Sequence, residues 1–156
     1  MLILGIDPGT ATTGWGAVEK VQGELKLLDY GIIVTKPKQT AGERLHKLHK
    51  EISCLIKRMA PDVLVVEKLF FFKNLKTAMP VSEARGVILL AGAQQKTKVL
   101  EFTPLQIKMG ICGYGRADKK QVQKMVKEIL GLEKIPKPDD AADGLAAAIC
   151  GAYSSR

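Results

Sequence analysis

The sequence predicts an α/β fold in which helices cover both faces of a mixed five-stranded sheet. Its 156 residues begin with three apolar runs joined by short links, a pattern that indicates an antiparallel meander. Farther along, segments with helical spacing of apolar residues alternate with two more short apolar runs, which indicates helical crossovers between strands. We expect a single domain over residues 1–156, because this length supports one sizeable core.

Three strands and a helix are predicted in the first part of the chain. The first strand, at 2–6, is an apolar run that ends just before Asp7. Strands at 14–20 and 25–34 follow, with turn residues between them. Over 43–59 the apolar residues recur every three or four positions, which predicts an amphipathic helix.

The rest of the chain is predicted to hold two strands and four helices. The helix at 81–95 is apolar almost all round, so we expect one side to face the sheet and another to face a second subunit. Its small residues, among them Gly86 and Ala91, would let another backbone approach closely. The other elements are a strand at 62–67, a strand at 98–102, a short helix from Thr103, a glycine-rich loop at 110–117, a helix at 119–130 capped by Asp118, and a last helix at 140–151.

The net charge of +8 points to a polyanionic partner, and nucleic acid is the first candidate. No apolar stretch reaches the ~18–20 residues of a membrane span, and no basic amphipathic helix supports binding to a membrane surface. The three cysteines, Cys54, Cys112 and Cys150, lack the spacing of a zinc site or a disulfide framework. We therefore expect reduced thiols and a cytoplasmic protein without a targeting segment.

Acidic residues end two of the predicted strands and begin the last helix. Asp7 directly follows the first strand and Glu67 ends the fourth, so the two carboxylates meet if these strands are parallel neighbours. Asp140 and Asp143 are three residues apart and share a helix face, and Asp139, four residues from Asp143, is an alternative partner. Carboxylates brought this close repel one another unless a cation lies between them.

Such an all-oxygen set of ligands suits Mg²⁺ or Mn²⁺. Two of these ions ~3.5–4 Å apart would activate a water and stabilise the leaving oxygen in phosphodiester hydrolysis. Taken singly, each residue has a simpler interpretation, because an Asp after a strand is often a turn residue and Asp140 could cap the last helix. The coincidence of three such positions on a strongly basic chain favours a metal site.

The turn Gly-Ile-Asp-Pro-Gly-Thr at 5–10 also has a rival interpretation, as a phosphate-binding loop. Actin-like and sugar-kinase ATPases begin with a similar turn after a strand, but they need two domains and a second phosphate loop. This chain has the length of one domain and lacks both GxxxxGK[ST] and GxGxxG in a βαβ context. A nucleotide-driven ATPase is therefore the minor alternative.

Motifs along nearly the whole chain resemble those of the RuvC-type Holliday junction resolvases. The matching segments are GIDPGT with GWG behind it, VVEKLFF at 65–71, SEARGV at 82–87, TPLQIK and DKKQVQKMV within 103–126, and DDAADGLAAAI at 139–149. The resemblance implies a ribonuclease H-like fold and a homodimer that cuts four-way DNA junctions with Mg²⁺ or Mn²⁺. It also implies a branch-migration motor as a partner.

The resemblance also implies roles for individual residues. It implies four metal-binding carboxylates and two lysines at the scissile phosphate, namely Asp7, Glu67, Asp140, Asp143, Lys108 and Lys119. The Asp-Ala-Ala-Asp pattern selects Asp140 over Asp139, although some relatives carry His at the Asp140 position. A lysine there would neutralise developing charge or hold the strand, and Lys120 is the alternative to Lys119.

The aromatic run after Glu67 is a candidate DNA contact. An aromatic side chain there can stack on an unpaired base, and the family has such a Phe at the position that matches Phe70. Phe71 and Phe72 are candidates for the same role or for the core. Phosphate contacts are expected from lysines around the site, at positions Lys68, Lys73, Lys76, Lys108, Lys119 and Lys120.

Together these features predict a homodimeric, Mg²⁺-dependent endodeoxyribonuclease that resolves Holliday junctions by paired symmetric nicks in recombination and DNA repair. Two other functions compete with it. A ribonuclease H-like enzyme acting on RNA–DNA hybrids would share the site without needing a two-fold dimer. A non-catalytic junction-binding protein would gain nothing from acidic groups that face phosphates, so the carboxylates argue against it.

Overall fold

A computed structural model describes residues 1–68 and 75–155 of the chain, including all side chains except those of 75–77. The strands are β1 Leu2–Asp7, β2 Thr12–Val21, β3 Glu24–Val34, β4 Val63–Glu67 and β5 Lys98–Phe102. The helices are α1 Ala41–Met59, α2 Leu75–Gln94, α3 Pro104–Cys112, α4 Lys119–Ile129 and α5 Asp139–Ser154. No helix among these described elements is both long enough and apolar enough to span a membrane.

The five strands form one mixed sheet in the order β3-β2-β1-β4-β5. The pairs β1–β2 and β2–β3 are antiparallel, whereas β1–β4 and β4–β5 are parallel. The predicted mixed five-stranded sheet, with β1 and β4 as parallel neighbours, is therefore confirmed. Because Ile6 lies opposite Val66 in this register, Asp7 and Glu67 reach the same edge of the sheet.

Helices cover both faces of the sheet, as the sequence predicts. One core layer lies between the sheet and α3, α4 and α5, and a second lies between the sheet and α1 and α2. Of these helices, α5 packs directly onto β1 and β2. A Cβ on Gly144 would lie 2.6 Å from the Cα of Trp15, and one on Gly5 would overlap the main-chain oxygen of Gly144. Glycine at these positions lets α5 approach closely, and this fixes where its N-terminus lies.

The start of α1 depends on a capping box. The Glu43 N–H donates to the Thr40 Oγ1 at 3.3 Å, and the Thr40 N–H donates to the Glu43 carboxylate at 2.7 Å. These bonds satisfy donors that a helix N-terminus otherwise leaves free. They explain why the helix begins at Ala41, two residues before the start that its apolar spacing predicts.

The small residues of α2 do not all lie on the side expected to face a second subunit. Ala91 is buried with Ala84 in the core layer against the sheet, so it does not face outward. The side away from the sheet instead exposes Met79 (71%) and Leu90 (51%). Gly86 is exposed on the same helix. The apolar spacing could not distinguish the two sides, because both carry apolar residues.

The glycine-rich loop predicted at 110–117 begins later than expected. Residues 110–112 belong to α3, and Gly113, with φ 78°, ends the helix in the left-handed conformation. Gly110 lies inside α3 at a point where this helix packs closely on α5. A Cβ at this position would lie 3.1 Å from the Cys150 Sγ. Asp118 then caps α4, as predicted, by accepting from the Gln121 N–H at 2.9 Å.

Candidate active site

Carboxylates from three elements meet at one edge of the sheet. Asp7 is the last residue of β1 and Glu67 is the last residue of β4, while Asp140 and Asp143 lie in the first two turns of α5. Asp7, Asp140 and Asp143 each contribute a carboxylate oxygen, and these oxygens lie within 4.8 Å of one another. The structure thus brings together three of the four predicted carboxylates as one tight cluster.

Gly14 allows α5 to reach this cluster. It lies opposite Asp7 in the β1–β2 register, and a Cβ there would overlap the main-chain oxygen of Asp140. The first turn of α5 therefore rests directly on the backbone of β2. In the sequence, the signal for this contact is the Gly-Trp-Gly segment that follows the Asp7 turn.

A cavity of about 250 Å³ opens beside the carboxylates. Asp7, Glu67 and Asp143 line it, which places Glu67 at the same site although it is not in the tightest group. Lys108 of α3 and Lys119 of α4 line the same cavity. The cavity therefore combines acidic groups that can hold a cation with basic groups that can face a phosphate.

Burial and mutual repulsion disturb the ionisation of these carboxylates. Burial, and after it the charges of Glu67, Asp143 and Asp140, raise the pKa of Asp7 well above its ordinary value. Burial and the charge of Asp143 raise the pKa of Glu67 to about 7, although Lys108 and Lys119 act in the opposite direction. Burial also raises the pKa of Asp143. A cation between these groups would relieve the repulsion, so the donor set fits a divalent metal.

Lys119 is held in place by the carboxylate cluster. Its Nζ donates a hydrogen bond to the Asp143 Oδ2 at 2.9 Å. Burial lowers the pKa of the Lys119 ammonium, but the hydrogen bond and charge of Asp143 outweigh that effect and raise it overall. Lys119 and its alternative, Lys120, are both exposed on α4, but of the two Lys119 lines the cavity.

Two capping boxes set the directions of the helices that carry the lysines. Thr103 accepts from the Gln106 N–H at 3.2 Å at the start of α3, and Asp118 caps α4. Lys119 is the first residue of α4, so the cap fixes its position directly. The sequence predicts a helix start at each of these caps, and the structure confirms both starts.

Asp139 makes a different contact from its neighbour Asp140. The Lys137 Nζ donates to the Asp139 Oδ1 at 2.6 Å, and this carboxylate is not part of the tight cluster. The side-chain geometry therefore distinguishes Asp140 from Asp139, which helical spacing alone could not do.

Two apolar residues that line the cavity, Ile107 and Val122, are not predicted as site residues from the sequence. Val122 lies three residues from Lys119 on one face of α4, so helical spacing is its signal, whereas Ile107 is adjacent to Lys108 and no spacing marks it.

Several predicted DNA contacts fall outside the described residues. Phe70 to Phe72 and Lys73 lie within 69–74, and the side chain of Lys76 is likewise not described. Lys68 is described and exposed, and its N–H donates to the Phe102 main-chain oxygen at 2.8 Å. This bond continues the β4–β5 pairing by one residue beyond Glu67.

Comparison with known proteins identifies relatives over the whole chain. The family model described as Crossover junction endodeoxyribonuclease RuvC matches residues 3–151. A protein of that name from Halothermothrix orenii is 51% identical over 156 residues, covering 100% of this chain and 94% of the relative. One from Caldicellulosiruptor saccharolyticus is 53% identical over 156 residues, covering 99% of this chain and 94% of the relative.

Solved structures agree with the sequence matches. Thermus thermophilus RuvC superposes with a TM-score of 0.90 at 34% identity, covering 98% of this chain and 94% of that one. A T. thermophilus RuvC in complex with Holliday junction substrate gives 0.88 at 32% identity, covering 98% and 93%. The architecture is therefore the ribonuclease H-like arrangement that the sequence predicts.

Proposed function

Because this chain belongs to the RuvC family of crossover junction endodeoxyribonucleases, we propose that it resolves four-way (Holliday) DNA junctions by paired symmetric nicks in recombination and DNA repair. The observation that carries the proposal is the cluster of Asp7, Asp140 and Asp143 facing two lysines on a chain of net charge +8. A T. thermophilus relative has been solved with Holliday junction substrate, which supports the same substrate here.

The cofactor we propose is Mg²⁺ or Mn²⁺, with two ions in each active site. Asp7, Glu67, Asp140 and Asp143 would hold them, because they supply only oxygen ligands and raised pKa values mark three of them as crowded. When bound, the ions supply an activated water and stabilise the leaving oxygen of the phosphodiester. Whether Mg²⁺ or Mn²⁺ serves in the cell does not alter the roles of the side chains.

The lysines and the apolar walls supply the rest of the site. Lys108 and Lys119 line the cavity and would neutralise charge that develops on the scissile phosphate. The Lys119–Asp143 hydrogen bond holds the ammonium in place before DNA binds, which reduces the loss of side-chain freedom on binding. Ile107 and Val122 border the same space and limit access of water from that side.

Outside the cavity, basic and aromatic side chains would hold the junction. We assign phosphate contacts to exposed lysines near the site, Lys68 beside Glu67 and Lys120 beside Lys119, and to Lys73 and Lys76 from their places in the sequence. Phe70, three residues after Glu67, would stack on an unpaired base at the crossover. Contacts of this kind position the strand and leave the cutting to the carboxylates.

A homodimer would give the two matched sites that paired nicking requires. A four-way junction has a two-fold axis, so two chains in fixed register can cut two strands of like polarity. The exposed apolar residues Met79 and Leu90 on α2 support this helix as the contact. With the family we also propose a branch-migration motor as a partner and a cytoplasmic location, which the three free thiols suit.

A cleavage assay with three substrates tests the function. The protein with Mg²⁺ is added to a synthetic four-way junction, to a linear duplex of the same sequence and to an RNA–DNA hybrid. We expect cutting of the junction alone. Preferential cutting of the hybrid would support a ribonuclease H-like activity instead. Tight binding to the junction without cutting in either Mg²⁺ or Mn²⁺ would identify a non-catalytic binding protein.

A further inference from the structure

Arg44, in the first turn of α1, is bonded to the loop that follows Asp7. Its Nη2 donates to the Thr10 main-chain oxygen at 2.5 Å, and its Nε donates to the Thr35 Oγ1 at 2.8 Å. The Thr35 hydroxyl in turn donates to the same Thr10 oxygen at 2.7 Å. One carbonyl therefore accepts from both an arginine and a hydroxyl, and the three groups close a ring of hydrogen bonds.

Other bonds hold the same loop, which spans residues 8–11. The Thr35 N–H donates to the Ala11 oxygen at 2.9 Å, and the Thr13 Oγ1 donates to the Gly9 oxygen at 3.0 Å. The loop joins Asp7 to β2, and β2 carries Gly14, on which the first turn of α5 rests. The loop therefore closes the end of the β1–β2 ladder at which Asp7 pairs with Gly14, directly beside the first turn of α5.

The place of Arg44 in the helix is electrostatically unfavourable. A cation in the first turn of a helix opposes the helix dipole, which favours acidic residues there. Among residues 1–68 and 75–155, Arg44 forms no ion pair that would offset this. The charge-assisted bond to the Thr10 carbonyl is thus the main polar compensation for the guanidinium, and such bonds are stronger than neutral ones.

Arg44 acts from the face of the sheet opposite the active-site cavity. It lines a small cavity of about 50 Å³ together with Leu45, Leu48 and Ala84, which belong to the α1–α2 core layer. Glu83 lines the same cavity but forms no ion pair with Arg44. The active-site cavity lies on the other face, with α3, α4 and α5. Removing the guanidinium would enlarge the existing space behind the loop.

We propose that Arg44 is a positioning residue for the nuclease reaction, which it serves by holding the Thr10 carbonyl and thereby the spacing between Asp7 and Asp140. The inference rests on the proposed function, because the spacing matters only if the carboxylates bind metal. A displacement of a ligand by a fraction of an ångström weakens a metal site that needs fixed geometry. Arg44 is not among the residues that line the active-site cavity, so it acts through the loop.

The test measures Mn²⁺ binding to the full chain by calorimetry, without DNA. Arg44→Ala removes both bonds, and Thr35→Val removes one hydroxyl at nearly constant volume. We expect Arg44→Ala to weaken Mn²⁺ binding by up to about tenfold, the lower end of the effect of losing a group bonded directly to a metal ligand, and Thr35→Val to weaken it less. Amide hydrogen exchange should increase in residues 8–13 and stay unchanged in residues 3–6.

Arg58→Ala provides the matched control. Arg58 lies on the same helix, with its Nη2 3.4 Å from the Asp29 carboxylate and its guanidinium 5.9 Å from the centre of the Trp15 ring. Losing these contacts removes an arginine from α1 without touching the loop, so Mn²⁺ affinity should remain that of the wild type. This separates positioning from a general loss of stability.

The outcomes distinguish this inference from the function on which it rests. If the wild type binds no Mn²⁺, the proposed metal-dependent function fails and the inference falls with it. If the wild type binds Mn²⁺ and folded Arg44→Ala binds it equally well, only the inference is overturned. Should Arg44→Ala fail to fold, Arg44→Met, which keeps the length of the side chain and removes both donors, decides by the same criterion, and an unchanged affinity in that variant overturns the inference.

Discussion

The Lys119 Nζ donates to the Asp143 Oδ2 at 2.9 Å, so the first residue of α4 is bonded to a carboxylate of α5 across the proposed active site. This bond and the charge of Lys119 act against the burial that raises the pKa of Asp143. The lysine therefore has two effects: it presents a positive charge to the cavity, and it helps to keep Asp143 ionised for metal.

Lys119→Ala should move the pH dependence of cleavage. Without Lys119, burial and the neighbouring acids act on Asp143 unopposed, so the pKa of Asp143 rises further and a higher pH is needed to ionise it. We expect a lower single-turnover rate whose acid limb shifts to higher pH. Lys124→Ala, an exposed lysine on the same helix, is the control and should keep the wild-type profile. A slower rate with an unshifted acid limb would show that Lys119 contacts the phosphate but does not help to ionise Asp143.

Asp7→Asn should abolish cleavage and preserve binding of the junction. The substitution keeps the size of the side chain and removes a charge from the centre of the carboxylate cluster. Repulsion of phosphates falls as well, so junction affinity should be equal or tighter in a gel-shift assay. Asp29→Asn, at an exposed position on β3, is the charge-matched control and should cut normally. Full activity in Asp7→Asn would show that Asp7 is not a metal ligand.

Without metal, the stability of the protein should fall as pH rises. The pKa of Glu67 is 4.5 in its ordinary state and about 7 in the folded protein, chiefly because of burial. Between these values the folded state binds a proton that the unfolded state has lost, so raising the pH lowers the free energy of unfolding.

We therefore expect the melting temperature of metal-free protein to decrease from about pH 5 to about pH 8. Saturating Mn²⁺ should raise the melting temperature most at the upper end, because binding to the ionised carboxylates stabilises the folded state. Glu67→Gln should flatten the decrease. A melting temperature that climbs through this window would contradict the raised pKa of Glu67.

The stacking role of Phe70 predicts a loss of cutting without a loss of folding. Phe70→Ala should slow cleavage and leave the melting temperature unchanged, because the ring contacts DNA rather than the core. Phe102→Ala is the comparison, since Phe102 packs against the core layer of α3 to α5 and its truncation should destabilise the fold. If Phe71 or Phe72 belongs to the core, its change to Ala should cost about 3–5 kcal/mol. A large drop in melting temperature for Phe70→Ala would assign it to the core instead.

The proposed dimer contact can be tested by placing a charge on the exposed side of α2. Leu90→Glu would bury an unpaired carboxylate between two chains, so the variant should be monomeric by light scattering and should make single rather than paired nicks. Leu28→Glu, at a leucine on β3 that is 44% exposed, is the matched control and should remain dimeric. A wild-type monomer that makes both cuts in one binding event would overturn the dimer mechanism.

Much of this site follows from signals that are local in the sequence. The apolar runs end at Asp7 and Glu67, and caps at Thr103 and Asp118 place the helices of the two lysines. These features depend on a few neighbouring residues, so strand and helix propensities suffice to find them. The parallel pairing of β1 and β4 follows from the order of the elements.

Other features depend on contacts between distant segments. Ala91 and Leu90 are adjacent and apolar, yet the core covers one and leaves the other exposed, which spacing alone could not decide. The choice of Asp140 over Asp139 depends on how α5 rests on Gly14. The bonds of Arg44 join residues that are nine and 34 positions apart, so no short sequence motif predicts them.

Paired cutting of a junction requires the carboxylate cluster of Asp7, Asp140 and Asp143 to be presented twice by a dimer. The most direct measurement follows a supercoiled plasmid that extrudes a cruciform, incubated with the protein and Mg²⁺. We expect supercoiled plasmid to be converted directly to linear product, because both strands are cut within one binding event. Accumulation of nicked circles without linear product, or equal cutting of a plasmid that lacks the cruciform, would contradict it.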